Sequence, residues 1–340
     1  MEQIRLGIIG CGAITKQQYF PILKKSSLFK INALADKNIA GARSLGEGRD
    51  IAKITDDYRE MIGHVNAAVI AVPNHLHASI SKEMLSNGIH VLVEKPMAMT
   101  AADCDEMIEL ARQNNCILTV GLSKRFFHAH QFVKRAIDEG LLGDIKSFDF
   151  RDGTIFSWPA ASDFLYRKEV GGVLASTGPH TLDLLLWWLG DYKRVEYYDD
   201  AMGGVEANCE LRITMKNGCS GIVEISRTRA LRQTYQITGE KATIEVGANW
   251  ANPPVILKFN GDEAQLEGAM AMPRNPQKEY IEIMRQQLEE FAAAITEKRK
   301  PLVDGHEGRR SIEFIETCYR NRKFLDLPWL GPHVKEIGHA

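Results

Sequence analysis

The chain has 340 residues, a length that suits about two domains at roughly 100–200 residues each. Its 44% hydrophobic and 25% charged residues are ordinary for a globular protein with a real core, and a formal net charge of −2 excludes a global basic field that would gather nucleic acid or an anionic membrane. No apolar run reaches the roughly 18 residues that a membrane-spanning helix needs.

In chain order, short apolar runs first alternate with amphipathic stretches. Strands are expected over 4–9, 30–35, 67–72, 90–93 and 117–120, and helices over 14–25, 37–45, 76–87 and 101–114. Apolar strands without polar alternation are buried on both faces, which predicts a doubly wound parallel sheet covered by helices. After about Arg125 the character changes. A helix over 127–139 leads to Gly140 and Gly143, an apolar helix covers 179–189, and strand-like runs follow at 145–150, 195–198, 207–215, 220–226, 234–238 and 242–246. Turns such as Lys216-Asn217-Gly218 separate them, which predicts a large, open, mostly antiparallel sheet in an α+β domain. Helices over 277–297 and 308–321 end the chain, with Lys300-Pro301 stopping the first. The expected boundary places residues 1–122 in the first domain and 123–340 in the second.

The N-terminal Met1-Glu2-Gln3-Ile4-Arg5 enters a strand at once and shows no leader pattern, so a cytoplasmic location is expected. Six scattered cysteines without a CxxC pair read as reduced thiols, most of them buried. The histidine pairs His75/His77 and His128/His130 have no evident acidic or thiolate third ligand, and no metal is expected.

The first strand runs into Gly10-Cys11-Gly12-Ala13-Ile14-Thr15, which is GxGxxG except for Thr15. Gly10 permits a tight turn. Gly12 lets backbone approach a pyrophosphate, which would sit on the N-terminus of the helix opened by Ala13 and Ile14. The strand-turn-helix context supports a dinucleotide site. A flavodoxin-like turn without a dinucleotide is the other reading. Asp36 ends the second strand, where a carboxylate bonds both hydroxyls of an adenosine ribose and repels the 2′-phosphate of NADP. Lys37 and Arg43 partly offset that repulsion, so NAD is favoured and NADP stays open.

The order and spacing of Gly10-Cys11-Gly12, Val72-Pro73-Asn74-His75-Leu76-His77, Glu94-Lys95-Pro96, Gly171-Gly172 through His180, and Val303-Asp304-Gly305 carry a resemblance over essentially the whole chain. The sequence resembles the Gfo/Idh/MocA family, named for glucose-fructose oxidoreductase, inositol dehydrogenase and rhizopine catabolism. The resemblance implies an NAD(P)-binding Rossmann domain followed by a substrate-binding and oligomerisation domain. It implies hydride transfer between a nicotinamide and a secondary alcohol of a sugar, cyclitol or sugar derivative, in a homodimer or homotetramer. Lys95 is then the catalytic lysine, with a cis peptide often preceding the motif's proline; Pro73, Asn74, His77 and Glu94 join the cofactor groove. For His77, capping or packing against that loop is the favoured role and direct cofactor contact the alternative.

His180 is implied as the acid/base group. It sits in the first turn of the 179–189 helix, whose positive end favours the neutral imidazole that a base requires. Many sugar dehydrogenases of the family have Asp-x-Gly-x-His here, and this chain has Ser176 in place of the aspartate. Three consequences follow from that departure: Asp183 alone supports His180, the substrate is bound differently, or activity is weak or lost. Arg125, Arg151, Phe156, Trp158, Tyr166, Arg167 and Lys168 are candidates for the substrate wall beside Ser176. A glycosidase using NAD transiently and a non-catalytic dinucleotide-sensing regulator are the rival readings. The apolar residues Leu211, Ile213, Met215, Ile222, Val223 and Ile225 are expected to need a helix or a partner sheet over them.

Overall fold

The computed structural model describes residues 3–155, 167, 170–249, 255–259, 265–267 and 276–326. β1 (Ile4–Ile9) leads through the glycine turn into a stretch wound with π-helical turns, Thr15–Tyr19, which continues as α1 (Phe20–Leu23). β2 (Phe29–Ala35), α2 (Ile39–Gly46), β3 (Lys53–Thr55), β4 (Ala67–Ile70), α3 (His77–Ser86), β5 (His90–Val93), α4 (Ala101–Gln113) and β6 (Leu118–Val120) follow. Local chemistry starts the helices where the sequence suggests. The Asn38 side chain accepts the Gly41 N–H to open α2, and Thr100 and Asp103 cap α4 reciprocally.

The second part of the chain forms α5 (His128–Asp138), β7 (Ile145–Gly153), α6 (Val173–Ser176), α7 (Gly178–Leu189), β8 (Tyr192–Asp199), β9 (Asn208–Met215), β10 (Ser220–Ser226), β11 (Thr234–Gly239), β12 (Ala242–Gly247), β13 (Ile256–Phe259) and β14 (Gln265–Glu267). α8 (Pro276–Glu297), α9 (Gly305–Arg320) and β15 (Arg322–Phe324) close it. Among the described residues no helix is long and apolar enough to cross a membrane.

Two compact units result: Met1–Ser123 with Gln277–Ile312, and Lys124–Pro276 with Glu313–Ala340. In the first, six strands pair in the order β3-β2-β1-β4-β5-β6, all parallel. This is the doubly wound Rossmann order, and it reverses between β1 and β4, where a crevice opens at the strands' carboxyl ends. The single cut expected after residue 122 misses the returning segment. Met284, Leu288, Phe291 and Ala292 of α8 join Ile4, Leu6, Ile8, Phe29 and Leu34 in one core, with the rings of Phe29 and Phe291 stacked 6.3 Å apart. The Val303-Asp304-Gly305 motif also belongs to this unit. Thr119 Oγ1 and the Val120 N–H donate to the Val303 carbonyl, and the Asp304 carboxylate accepts the Glu307 N–H at the start of α9.

The second unit holds a nine-stranded sheet in the order β14-β13-β12-β11-β7-β10-β9-β8-β15. The β7–β10 and β8–β15 pairs are parallel and the rest antiparallel. Period-two alternation gives each strand an inner and an outer face. Phe148, Phe150, Leu211, Ile213, Met215, Val223, Ile225, Tyr235, Ile237 and Ile244 are buried on the inner face. α5 and α6 contact that sheet, and Trp188 of α7 meets Phe150 and Tyr235 edge-on. The apolar row expected to need a partner is therefore covered inside its own unit, except for Ile222. That residue lies half-buried on the outer face, in register with Asp149 and Arg212. The outer face is laced with charge: Arg151 bonds Asp149 and Glu224, Arg229 pairs with Glu224, and Arg212 pairs with Glu210.

Candidate functional site

At the end of β1, Gly10 adopts φ +97°, and a Cβ there would lie 2.2 Å from the Ala71 carbonyl oxygen. Only glycine fits both the angle and the approach. Around Gly12 a Cβ would meet nothing within 4 Å, so the turn presents bare backbone to open space. Thr15 stands where GxGxxG has its last glycine. It is fully buried, and its hydroxyl donates to the Gly10 carbonyl at 2.5 Å, closing the turn from within. Asp36 is tied to the same turn: one oxygen accepts the Cys11 N–H at 2.6 Å, the other the Asn38 N–H at 2.7 Å. A carboxylate has about four acceptor positions, so lone pairs remain for two hydroxyls. Burial, then the charge of Asp36, pushes the Cys11 thiol up to about 12, which makes it an inert neighbour. Lys37 and Arg43 are exposed. The open cradle at Gly12 and the fixed carboxylate of Asp36 fit a dinucleotide.

Beyond β4, Pro73 is exposed and Asn74 half-buried at the start of a short 3₁₀ turn. His77 is 1% exposed, with Nδ1 2.6 Å from the Pro96 carbonyl and Nε2 2.9 Å from the Val72 carbonyl. Its ring thus packs between the two loops, the role preferred for it over cofactor contact. Burial lowers its pKa, and the two carbonyls pull the other way. Glu94 and Lys95 are half-buried at the end of β5, and the Lys95–Pro96 peptide is cis.

In the second unit, the consecutive residues Lys124 and Arg125 are both buried; Arg125 reaches α7 directly and Lys124 through the partners it shares with Thr181. Lys124 Nζ donates to Asp152 and to the Tyr235 hydroxyl, both at 3.1 Å, and Thr181 joins the same network. Arg125 forms a two-pronged pair with Asp183 at 2.9 and 2.6 Å and stacks 5.2 Å over Trp187. Arg125 is 2% and Asp183 1% exposed. Arg125, expected on the substrate wall, and Asp183, expected to support His180, bond each other and together anchor the helix. His180, half-buried, immediately precedes the anchored positions Thr181 and Asp183.

α6 and α7 are separated only by Thr177, itself in helical conformation (φ −99°, ψ −36°), so Ser176 lies one turn before His180. Arg227, just past β10, donates to the Ser176 hydroxyl and to the Gly172 carbonyl. A hydroxyl bonded to a guanidinium therefore occupies position 176. Sequence reasoning missed Arg227, Lys124 and Asp152. Asp152 carries a usable signal, since it shares the inner face of β7 with Phe148 and Phe150. Arg151 lies on the outer face among its ion pairs, and Arg167 is exposed. Phe156, Trp158, Tyr166 and Lys168 lie outside the described residues. Among the described residues no His/Cys/Asp/Glu group is arranged to hold a metal.

A Rossmann sheet with a dinucleotide turn, followed by an α/β unit carrying a histidine at a helix start, defines an NAD-binding oxidoreductase. Residues 4–122 match the oxidoreductase family with an NAD-binding Rossmann fold, and residues 134–323 match its C-terminal alpha/beta domain. The chain belongs to the Gfo/Idh/MocA family. It is 26% identical to the rhizopine catabolism protein MocA of Rhizobium meliloti over 78% of this chain and 86% of that one. It is 24% identical to inositol 2-dehydrogenase of Rhizobium meliloti (strain 1021), over 94% and 96%. Among solved structures, the WlbA dehydrogenase of Bordetella pertussis, in complex with NADH and UDP-GlcNAcA, superposes with a TM-score of 0.82 at 22% identity, over 94% of this chain and 95% of that one.

The buried Arg125–Asp183 pair generates a stability test. Asp183→Asn leaves the guanidinium buried against a neutral amide and should cost about 3–5 kcal/mol in denaturant titration. Arg125→Met with Asp183→Leu removes both charges and should recover most of that loss. Equal losses in the single and double variants would show that packing, not charge pairing, sets the cost.

Proposed function

We propose that this chain is an NAD(H)-dependent dehydrogenase or reductase acting on a secondary alcohol of a sugar, cyclitol or sugar derivative. The observation that carries the reading is the conjunction, in a family of oxidoreductases, of the open Gly12 turn with Asp36, Lys95 at the end of β5, and His180 at the start of a doubly anchored helix. Sugar and cyclitol enzymes among the relatives, inositol 2-dehydrogenase in particular, support the substrate class.

The backbone of Gly10, Gly12, Ala13 and Ile14 would hold the pyrophosphate, Asp36 with Lys37 the adenosine ribose, and Pro73, Asn74, Glu94 and Lys95 the nicotinamide side. NAD, when bound, supplies the hydride acceptor or donor at the nicotinamide ring. Lys95 binds the reacting oxygen through its ammonium and stabilises the negative charge that develops there. His180 Nε2 takes the hydroxyl proton in oxidation and returns it in reduction. The buried pairs on Thr181 and Asp183 hold the imidazole in place, which a positioned base requires. Ser176 with Arg227 shapes the sugar's seat beside it. The partners proposed are a small carbohydrate and further copies of this chain, joined through the charged outer sheet face. Light scattering should give a dimer or tetramer, and a monomer mass across a concentration series would reject that assembly.

Protein fluorescence titrations should show NAD binding more tightly than NADP, because the Asp36 carboxylate repels a 2′-phosphate. Equal affinities would reject the role given to Asp36. Steady-state turnover on a panel of sugars and cyclitols tests the chemistry. His180→Ala should lower it about 10²–10⁴-fold with NAD affinity nearly unchanged, and Lys95→Ala should be at least as damaging. Intact turnover in both variants would overturn the assignment. Tight NAD binding without turnover of any sugar, cyclitol or sugar nucleotide would favour a dinucleotide-sensing role instead.

A further inference from the structure

The first unit contains a buried polar chain that the proposed chemistry does not yet use. Tyr19 is fully buried at the end of the π-wound stretch Thr15–Tyr19, on the helix that follows the glycine turn. Its hydroxyl lies 2.6 Å from Glu94 Oε1 and receives Gln287 Nε2 of α8 at 3.3 Å. The other Glu94 oxygen accepts the Lys95 N–H at 3.2 Å. Gly121 closes the space behind, where a Cβ would come within 3.2 Å of the Glu94 carboxyl group. Single π turns inside helices recur at functional sites, because they re-aim one side chain. Here Tyr19, the last residue of that stretch, links the cofactor-turn helix to Glu94 at the end of β5 and to Gln287 of α8.

The donor pattern settles the direction of the bonds. The Tyr19 oxygen accepts from Gln287, so its single proton is the one given to Glu94. Burial favours a protonated Glu94 and raises its pKa; the bond from Tyr19, and then the charge and N–H of Lys95, pull the other way. Tyr19 itself is driven well above the ordinary phenol range, first by burial and then by Glu94, and remains a donor. The other titratable group facing this carboxyl is Tyr280, a phenol pushed up to about 12 by burial and Glu94, with its hydroxyl 3.4 Å from Gln18.

We propose that Tyr19 is a positioning residue: its hydroxyl keeps Glu94 a carboxylate beside Lys95, and that carboxylate keeps Lys95 an ammonium. The inference rests on the role of Lys95 given above. It adds a reason for the acidic residue before that lysine and for a tyrosine 75 positions away.

The test is made on the whole protein without substrate. Infrared titration follows the carbonyl stretch of protonated Glu94, assigned by its absence in Glu94→Gln. Methyl resonances of reductively ¹³C-methylated lysines follow Lys95, assigned by Lys95→Arg. Loss of a hydrogen bond to a charged group should move the Glu94 midpoint up by about one to two pH units in Tyr19→Phe. The Lys95 midpoint should fall in both Tyr19→Phe and Glu94→Gln, with no further fall when the two are combined. Gln287→Leu, which leaves Tyr19 and Glu94 in place, should raise the Glu94 midpoint by less. It serves where Tyr19→Phe does not fold. An unmoved Glu94 midpoint in Tyr19→Phe, or in Gln287→Leu as its substitute, overturns the proposal, as does an unmoved Lys95 midpoint in Glu94→Gln. Both readouts are independent of turnover, so failure to oxidise any sugar would count against the proposed reaction and not against this relay.

Discussion

A parallel sheet has two apolar faces and tolerates water on neither. That constraint governs the first unit. Residues before Ser123 supply all six strands and the crossover helices, but the core around Ile4, Leu6, Ile8 and Phe29 is completed by Leu288 and Phe291 of α8. The edge strand β6 is closed by the returning Val303-Asp304 segment. The crevice where β1 and β4 diverge therefore depends on chain from both ends of the sequence. The same return brings Gln287 to Tyr19, so the covering helix also serves the polar chain at Glu94.

The fold was largely legible from apolar patterning. Strands buried on both faces read as uninterrupted runs, and five of the six strands of the first sheet emerged in place. What escaped were pieces too short for periodicity to register: β3, β14 and β15 are three residues each and β13 is four. The role of α8 also escaped. Its amphipathic pattern announces a helix but cannot say which of two sheets it covers.

The site was legible where geometry is imposed by backbone and illegible where it is made by distant side chains. The glycine turn, Asp36 and the cis-proline loop are local, and each lies where its motif predicts. Arg125 and Asp183 were given tasks at the substrate, because a charged side chain read alone gives no sign of a buried partner. Arg125 finds one 58 residues away in Asp183. Two adjacent cations buried against two carboxylates is a costly arrangement whose return is specificity of placement. In this unit it fixes one helix just beyond one histidine.

The interleaving of the units has a consequence for how the protein is made. A ribosome adds about 5–20 residues per second, so about ten to thirty seconds separate the emergence of β6 from that of α8. Throughout that interval the nascent Rossmann sheet has one apolar face without its cover. The second unit, whose sheet up to β14 lies wholly between these segments, is free to fold first. Vectorial synthesis thus reverses the order suggested by position in the chain, and the nascent N-terminal segment is the part of this protein most in need of a chaperone.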